Sequence, residues 1–202
     1  MVAEQRPGRL TVDEWRVLER TSEIKHEYSD GYLYAMAGGS LAHSRIAGNI
    51  FSAVDAALGD GPCNAYTSDA AARVSSSRYT YPDVMVSCSE HDQPSPDETE
   101  VNEPRVVFEV LSPSTEHRDR GRKWDYYRQC ASLQEYVLVG TEYQRVEVYR
   151  RTERGWGLFS IYGPEDAVEL TSLDIRFSVA AIYRRSGVPQ ASPEEGLHDS
   201  RA

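Results

Sequence analysis

The chain has 202 residues, 40% of them hydrophobic, and a formal net charge of -10 from 22 Lys and Arg against 32 Asp and Glu. That length allows one domain with a sizeable core, and a negative charge of this size slows approach to a polyanion, so any nucleic-acid contact has to rest on local basic stretches. No apolar run approaches the roughly 20 residues of a membrane span, and the start "MVAEQRPGRL" lacks the apolar core of a signal peptide, so a cytoplasmic location is expected.

From the N-terminus, "TVDEWRVLER" pairs Thr11 with Glu14 at capping-box spacing and predicts a short helix. "HEYSDGYLYAMAGGS" reads as strand, Asp-Gly turn and strand, with Tyr32, Tyr34 and Met36 on one face. Leu41, Ile46, Ile50, Ala53, Val54 and Ala57 predict a second helix stopping at Gly59. Short strands are expected at residues 63–67 and 71–75, and "YTYPDVMVSC" reads as one strand opened by Pro82. The acidic stretch of residues 89–103 looks like an exposed connection. "RVVFEVLSPST" is a central strand, apolar on both faces except for Glu109. "TEHRDRGRKWDYYRQCA" predicts a helix in which Arg120, Trp124, Tyr127 and Ala131 share a face, with Lys123 at its margin. "LQEYVLVG", "RVEVYRR" and "GWGLFSIY" read as strands and "FSVAAIYRR" as a short final helix, all within one domain of residues 1–185. Residues 186–202 read as a disordered tail. Cys63, Cys88 and Cys130 are odd in number, far apart and without a CxxC, and predict no disulfide and no structural zinc. The pattern as a whole is α/β, an α+β mixed sheet with helices packed against it.

Ionising a lone acid inside an apolar strand costs several kcal/mol unless something pairs with it, so Glu109 needs a partner. Asp83 fronts the preceding apolar strand, and neighbouring strands can bring the two acids together. Two carboxylates side by side repel unless a proton or cation lies between them. Mg²⁺, or Mn²⁺, resolves the conflict, because such an ion takes oxygen ligands and needs only one or two carboxylates from a protein. Lys123 shares a helical stripe with Asp119 and Tyr127 at i, i+4 and i+8, and its ammonium is placed to orient a water or offset charge building on a phosphate. Ser112 and Ser114 lie at that helix's start, and Arg118 and Arg122 belong to the densest basic stretch, so these four are candidate phosphate contacts, joined by His43 early in the second helix.

These same stretches, "YPDVMV", "VVFEVLSPST", "DRGRKWDYYR", "SLQEYVLVG" and "VEVYRR", resemble in that order the Uma-type restriction-endonuclease family of the PD-(D/E)XK nuclease superfamily. The resemblance runs over about residues 11–184. It implies a restriction-endonuclease-like core with flanking helices and additional C-terminal strands, hydrolysis of DNA phosphodiester bonds by a metal-bound water, and homodimers. By the match, Asp83 and Glu109 bind the metal, Lys123 is the catalytic lysine, and Glu27 in "HEYSDG" is the early acid that joins the metal directly or through water. The superfamily's lysine two residues after the second acid is Leu111 here, and the acid often found after the Asp-Gly turn is Tyr32.

Each residue also has an ordinary reading. Asp83 can cap the turn after Pro82, Glu109 can pair with Arg73 or Arg122, Lys123 can be a solvated helix residue, and Glu27 can form a strand-edge salt bridge. His43 can be an ordinary helix-surface histidine, and Tyr126 and Tyr127 can be packing residues beside Trp124 rather than stacking platforms. No GxSxG, Cys-His or P-loop pattern is present. Two further functions fit: a catalytically silent nuclease-fold binding module, and a metal-dependent hydrolase of a small phosphate compound.

Overall fold

A computed structural model describes residues 9–36 and 38–190 of the chain. Helix α1, Val12–Glu19, starts at Thr11, whose hydroxyl accepts the Glu14 N–H while the Glu14 carboxylate accepts the Thr11 N–H at 2.8 Å, so the expected capping box forms. Strands β1 (His26–Ser29) and β2 (Tyr32–Ala35) make the expected hairpin. Its turn puts Asp30 at φ 51° and Gly31 at φ 96°, the left-handed backbone that Asp-Gly accepts most readily. Helix α2, Leu41–Leu58, begins at Ser40, whose hydroxyl accepts the His43 N–H at 3.1 Å, and ends at Gly59.

The chain then supplies β3 (Asn64–Thr67), β4 (Ala71–Ser75), β5 (Arg78–Thr80), β6 (Val84–Ser87), β7 (Glu100–Val101) and β8 (Pro104–Val110). A helical segment of residues 116–127 carries it to β9 (Glu135–Val139), followed by β10 (Val146–Thr152), β11 (Gly155–Tyr162), β12 (Ala167–Leu170), β13 (Ile175–Ser178) and a last helix, α3 (Val179–Tyr183). A five-stranded sheet has the order β2-β1-β5-β4-β7, a six-stranded sheet the order β11-β10-β9-β8-β6-β3, and β12 and β13 pair with each other. The mixed α/β architecture expected from the sequence is the one observed.

Three apolar layers hold these elements together. Trp15 of α1 packs on Tyr28, Leu33 and Tyr79 of the five-stranded sheet. Ile46, Ile50 and Val54 of α2 cover one face of the six-stranded sheet through Val84, Val106, Phe108 and Val137. On that sheet's other face Met85, Val107, Tyr136 and Leu138 meet Tyr127 and Leu133, together with Ala72 and Val74 of β4. Glu109 belongs to this last face, because side chains alternate along β8.

Several expectations are corrected. The strand expected after Pro82 is present as β6, while Tyr79 and Thr80 before it belong to β5 in the other sheet, since proline has no N–H to continue a ladder. The acidic stretch is, as expected, a mostly exposed connection between two strands, β6 and β8, and it is pinned at one residue. Asp92 is buried and its carboxylate accepts the Ser87 hydroxyl at 2.7 Å and the N–H groups of Asn102 and Glu103 at 2.8 and 2.9 Å. Residues 116–127 do not form a uniform α-helix but contain a π-helical turn, Asp119–Lys123, between Glu116–Arg118 and Trp124–Tyr127. Arg120, Trp124 and Tyr127 still face the sheet, Lys123 is buried rather than marginal, and Ala131 lies beyond the helix and is exposed. The β12–β13 hairpin has no counterpart in the sequence reading.

Cys63 and Cys88 form a disulfide, contrary to expectation. The cause is register: β3 and β6 run antiparallel with Asn64 opposite Ser87, so the next pair outward is Cys63 and Cys88, with Cα atoms 4.0 Å apart. Cys130 is free and buried. Of the expected tail, Val188 packs into the core and Gln144 donates its N–H to the Pro189 carbonyl at 2.9 Å, while residues 191–202 lie outside the described residues. Among the described residues no helix is long and apolar enough to cross a membrane.

Candidate active site

β6 and β8 are antiparallel neighbours with Val84 opposite Phe108, so continuing the register by one step sets Asp83 across from Glu109. Directly opposed residues project to the same face. This is how two acids far apart in sequence come together at one sheet edge. Asp83 is fixed by the backbone N–H of Val110, which donates to Oδ2 at 2.7 Å, and His43 reaches in from the start of α2 with Nε2 3.4 Å from the same oxygen.

The partner of Glu109 is Lys123. The ammonium donates to Glu109 Oε1 at 2.8 Å, lies 3.1 Å from Glu27 Oε1 and 3.7 Å from Asp119 Oδ1, and only 6% of the residue is exposed. The Tyr127 hydroxyl donates to the same Glu109 oxygen at 2.8 Å and meets the Thr80 hydroxyl at 2.9 Å. Neither Arg73 nor Arg122 fills this role: Arg73 turns to Asn102, and Arg122 donates to the Tyr34 hydroxyl at 3.0 Å. Glu27 is 2% exposed and has both oxygens engaged, Oε1 by Lys123 and Oε2 by Arg118. The π-helical turn carries Asp119 and Lys123 at its two ends, both buried against the acids, and Gly121, a poor α-helix former, sits inside it. Such turns recur at functional sites.

Four carboxyl groups, Glu27, Asp83, Glu109 and Asp119, therefore face two permanent cations, Arg118 and Lys123. Burial pushes the Glu109 carboxyl up to about 8 against the pull of Lys123, and Asp119 and Asp83 add to the rise. Burial likewise raises Asp119. Burial opposes the charge on Lys123, but Glu109 and Asp119 outweigh it and hold the ammonium above its ordinary value. The Asp83 carboxylate raises His43. The lysine stays charged at neutral pH, and the surplus negative charge is relieved by a proton on a carboxyl group or by an added cation.

The donor set is all oxygen, which suits a hard divalent ion, and an ion of the Mg²⁺ type needs only one or two carboxylates. Asp83 and Glu109 fit that requirement. Among the described residues no group of three or more His, Cys, Asp or Glu side chains is arranged as a metal cage, and Lys123 lies between Glu27 and Glu109.

The other sequence candidates divide. Ser112, Ser114, His43 and Arg118 line the same cleft as the acids. The Ser112 hydroxyl lies 3.1 Å from that of Ser114 and 2.9 Å from that of Thr115, and Thr115 makes no side-chain cap to the helix start. Arg122 is not part of the cleft lining. Leu111, at the superfamily's lysine position, is buried in the apolar layer with Val107 and Leu138. Asp119 and Tyr127 were not singled out as site residues from sequence, although the stripe they share with Lys123 was visible there.

A family model described as "Uma2: Putative restriction endonuclease" matches residues 12–181. An uncharacterized Synechocystis protein, slr1290, is 37% identical over 177 residues, covering 87% of this chain and 92% of the relative. A second from the same organism, sll1609, is 31% identical over 168 residues, covering 82% and 95%. The crystal structure of a protein from Anabaena variabilis, titled a putative nuclease belonging to DUF820, superposes with a TM-score of 0.69 at 19% identity, covering 86% of this chain and 97% of that one. At that identity the superposition shows a shared fold.

Proposed function

The chain belongs to the Uma2 family of restriction-endonuclease-type proteins, and from that membership and the acids at the facing ends of β6 and β8 we propose a divalent-metal-dependent endonuclease that hydrolyses DNA phosphodiester bonds. The observation that carries the reading is the meeting of Asp83, Glu109 and Lys123 in one cleft, with Lys123 arriving from a helix instead of from the strand position held by Leu111.

Asp83 and Glu109 would hold the Mg²⁺ or Mn²⁺ ion. A bound ion would polarise a phosphoryl oxygen and lower the pKa of a water. The protein's own groups do the rest. The Val110 N–H fixes the Asp83 carboxylate, and Glu27 holds Lys123 and Arg118 on the same side of the cleft. Lys123 places a full positive charge where negative charge builds on the phosphate, a fixed charge in a poorly hydrated setting being the strongest electrostatic device available. Arg118, Ser112 and Ser114 position the phosphate, and His43 holds Asp83 in place from the opposite side.

Cleavage of plasmid and oligonucleotide DNA with Mg²⁺, Mn²⁺ or EDTA tests the proposal. Metal-dependent cleavage should fall about 10²–10³-fold in Asp83→Ala, the size of loss typical for one electrostatic element of a site. Equal cleavage by the folded variant would overturn the assignment.

One observation favours a second reading, a catalytically silent binding module: the Lys123 ammonium pairs with both Glu109 and Glu27. In that case Mg²⁺ and Mn²⁺ would leave the melting midpoint unchanged, whereas a filled metal site raises it by mass action.

A further inference from the structure

Beside the cleft, the hairpin presents aromatic rings on the face that α1 does not cover. In the β1–β2 register Glu27 is opposite Tyr34 and Ser29 is opposite Tyr32, and Ser29 is also opposite Arg78 of β5. These residues therefore share one face, while Tyr28, Leu33 and Tyr79 fill the layer under α1 on the other. Tyr32 is 44% exposed, so core packing does not account for its ring.

Every tyrosine on this face carries a guanidinium. Arg118 and Arg122 lie 5.3 and 5.5 Å from the centre of the Tyr34 ring, Arg9 lies 5.7 Å from that of Tyr32, and Arg78 lies 4.4 Å from that of Tyr126. Glu27 and Asp119 act on Arg118, and Asp30 holds Arg78 at 2.9 Å and lies in the field of Arg9. Among the described residues no carboxylate pairs with Arg122. In a chain of net charge -10 this is a local concentration of guanidinium groups. It is continuous with the cleft, because Arg118 belongs to both.

We infer that this Arg–Tyr face is a track for single-stranded nucleic acid, bases stacking on Tyr34 and Tyr32 and phosphates meeting Arg122 and Arg118. The inference rests on the nucleic-acid reading proposed above and narrows its substrate class. Rings set among cations are the means by which proteins hold unpaired bases, since every base has a π-face to offer. A duplex is excluded from the same contacts, because its bases are paired and stacked on one another and offer no open face to Tyr32 and Tyr34, whereas an unpaired strand does.

The test is fluorescence anisotropy in EDTA with labelled oligo-dT, oligo-rU and a duplex of equal length, using the wild type, Arg122→Ala, Tyr34→Ala and Tyr34→Phe, each checked for folding by circular dichroism. The single strands should bind at least about tenfold more tightly than the duplex, one stacked base being worth a factor of this order. Arg122→Ala and Tyr34→Ala should each lose about tenfold, and Tyr34→Phe, which keeps the ring, should recover most of the loss. The dT and rU arms separate DNA from RNA. Duplex binding as tight as single-strand binding, no binding of either single strand, or unchanged affinity in folded Arg122→Ala would overturn the track. A protein that binds single strands but never cuts would retain the track and lose the nuclease reading. One that cuts a duplex with Arg122→Ala and Tyr34→Ala unaffected would do the reverse.

Discussion

The Lys123 ammonium stands 2.8 Å from the Glu109 carboxylate, and the two residues are 6% and 4% exposed. Neither group is tolerable at that depth alone. A buried ion pair is a weak source of net stability, yet removing one partner strands the other. The retention of two extra acids around the pair, Glu27 and Asp119, is costly for folding and is intelligible if the cleft works on a charged substrate.

Replacing Lys123 by Ala should therefore destabilise the protein by about 3–5 kcal/mol, because the buried cluster of Glu27, Glu109 and Asp119 loses the cation its members share. Combining it with Glu109→Gln should recover a substantial part of the loss. Urea unfolding of the two single variants and the double variant measures the coupling; strict additivity would show that the pair is not energetically linked.

Glu109 also sets a pH dependence. Its carboxyl titrates near 8 in the folded protein and near 4.3 in an unfolded chain. Between those values the native state binds a proton that the unfolded state does not, so the contribution of Glu109 to stability is fully present below the lower value and is lost as pH rises through the upper one. Melting curves from pH 5 to 9 should show this decline in the wild type and a flatter profile in Glu109→Gln. Parallel profiles would remove Glu109 as the cause.

The disulfide closes a loop across a sequence separation of 25, which corresponds to about 3 kcal/mol in the chain-entropy view. Cys63→Ala should lower the melting midpoint of the oxidised protein, and the difference should vanish under reducing conditions. A midpoint insensitive to reductant in the wild type would contradict the bond's contribution.

The Tyr127 hydroxyl is a buried donor to Glu109, so Tyr127→Phe should cost about 1–3 kcal/mol by leaving a carboxylate oxygen short of a partner. Thermal melting checks this, and an unchanged midpoint would mean that Lys123 alone satisfies the acid.

How much of this was legible in the sequence depends on which interactions are local. The capping box of α1, the Asp-Gly hairpin and the stop of α2 at Gly59 follow from short-range chemistry and appear where expected. Glu109 is legible as a candidate because an acid inside an apolar strand has no local explanation, and Asp83 only as the acid that fronts the preceding strand. Their juxtaposition needed the strand order, which the sequence does not display. An α-helical wheel puts Lys123 at the helix margin, and the π-helical turn shifts it inward. Tyr127 looked like packing because its hydroxyl's partner lies on a strand 18 residues away. Cys63 and Cys88 meet only through the pairing of β3 with β6, and spacing along the chain carries no trace of that.

The most direct test of the central claim is calorimetric titration of Mn²⁺ into the wild type and into Glu109→Ala, with folding verified by circular dichroism. Binding by the wild type that disappears in the folded variant is the expected result, and it would seat the ion at Glu109. No binding by the wild type, or binding unchanged in the variant, would contradict the assignment of Asp83 and Glu109 as a metal site.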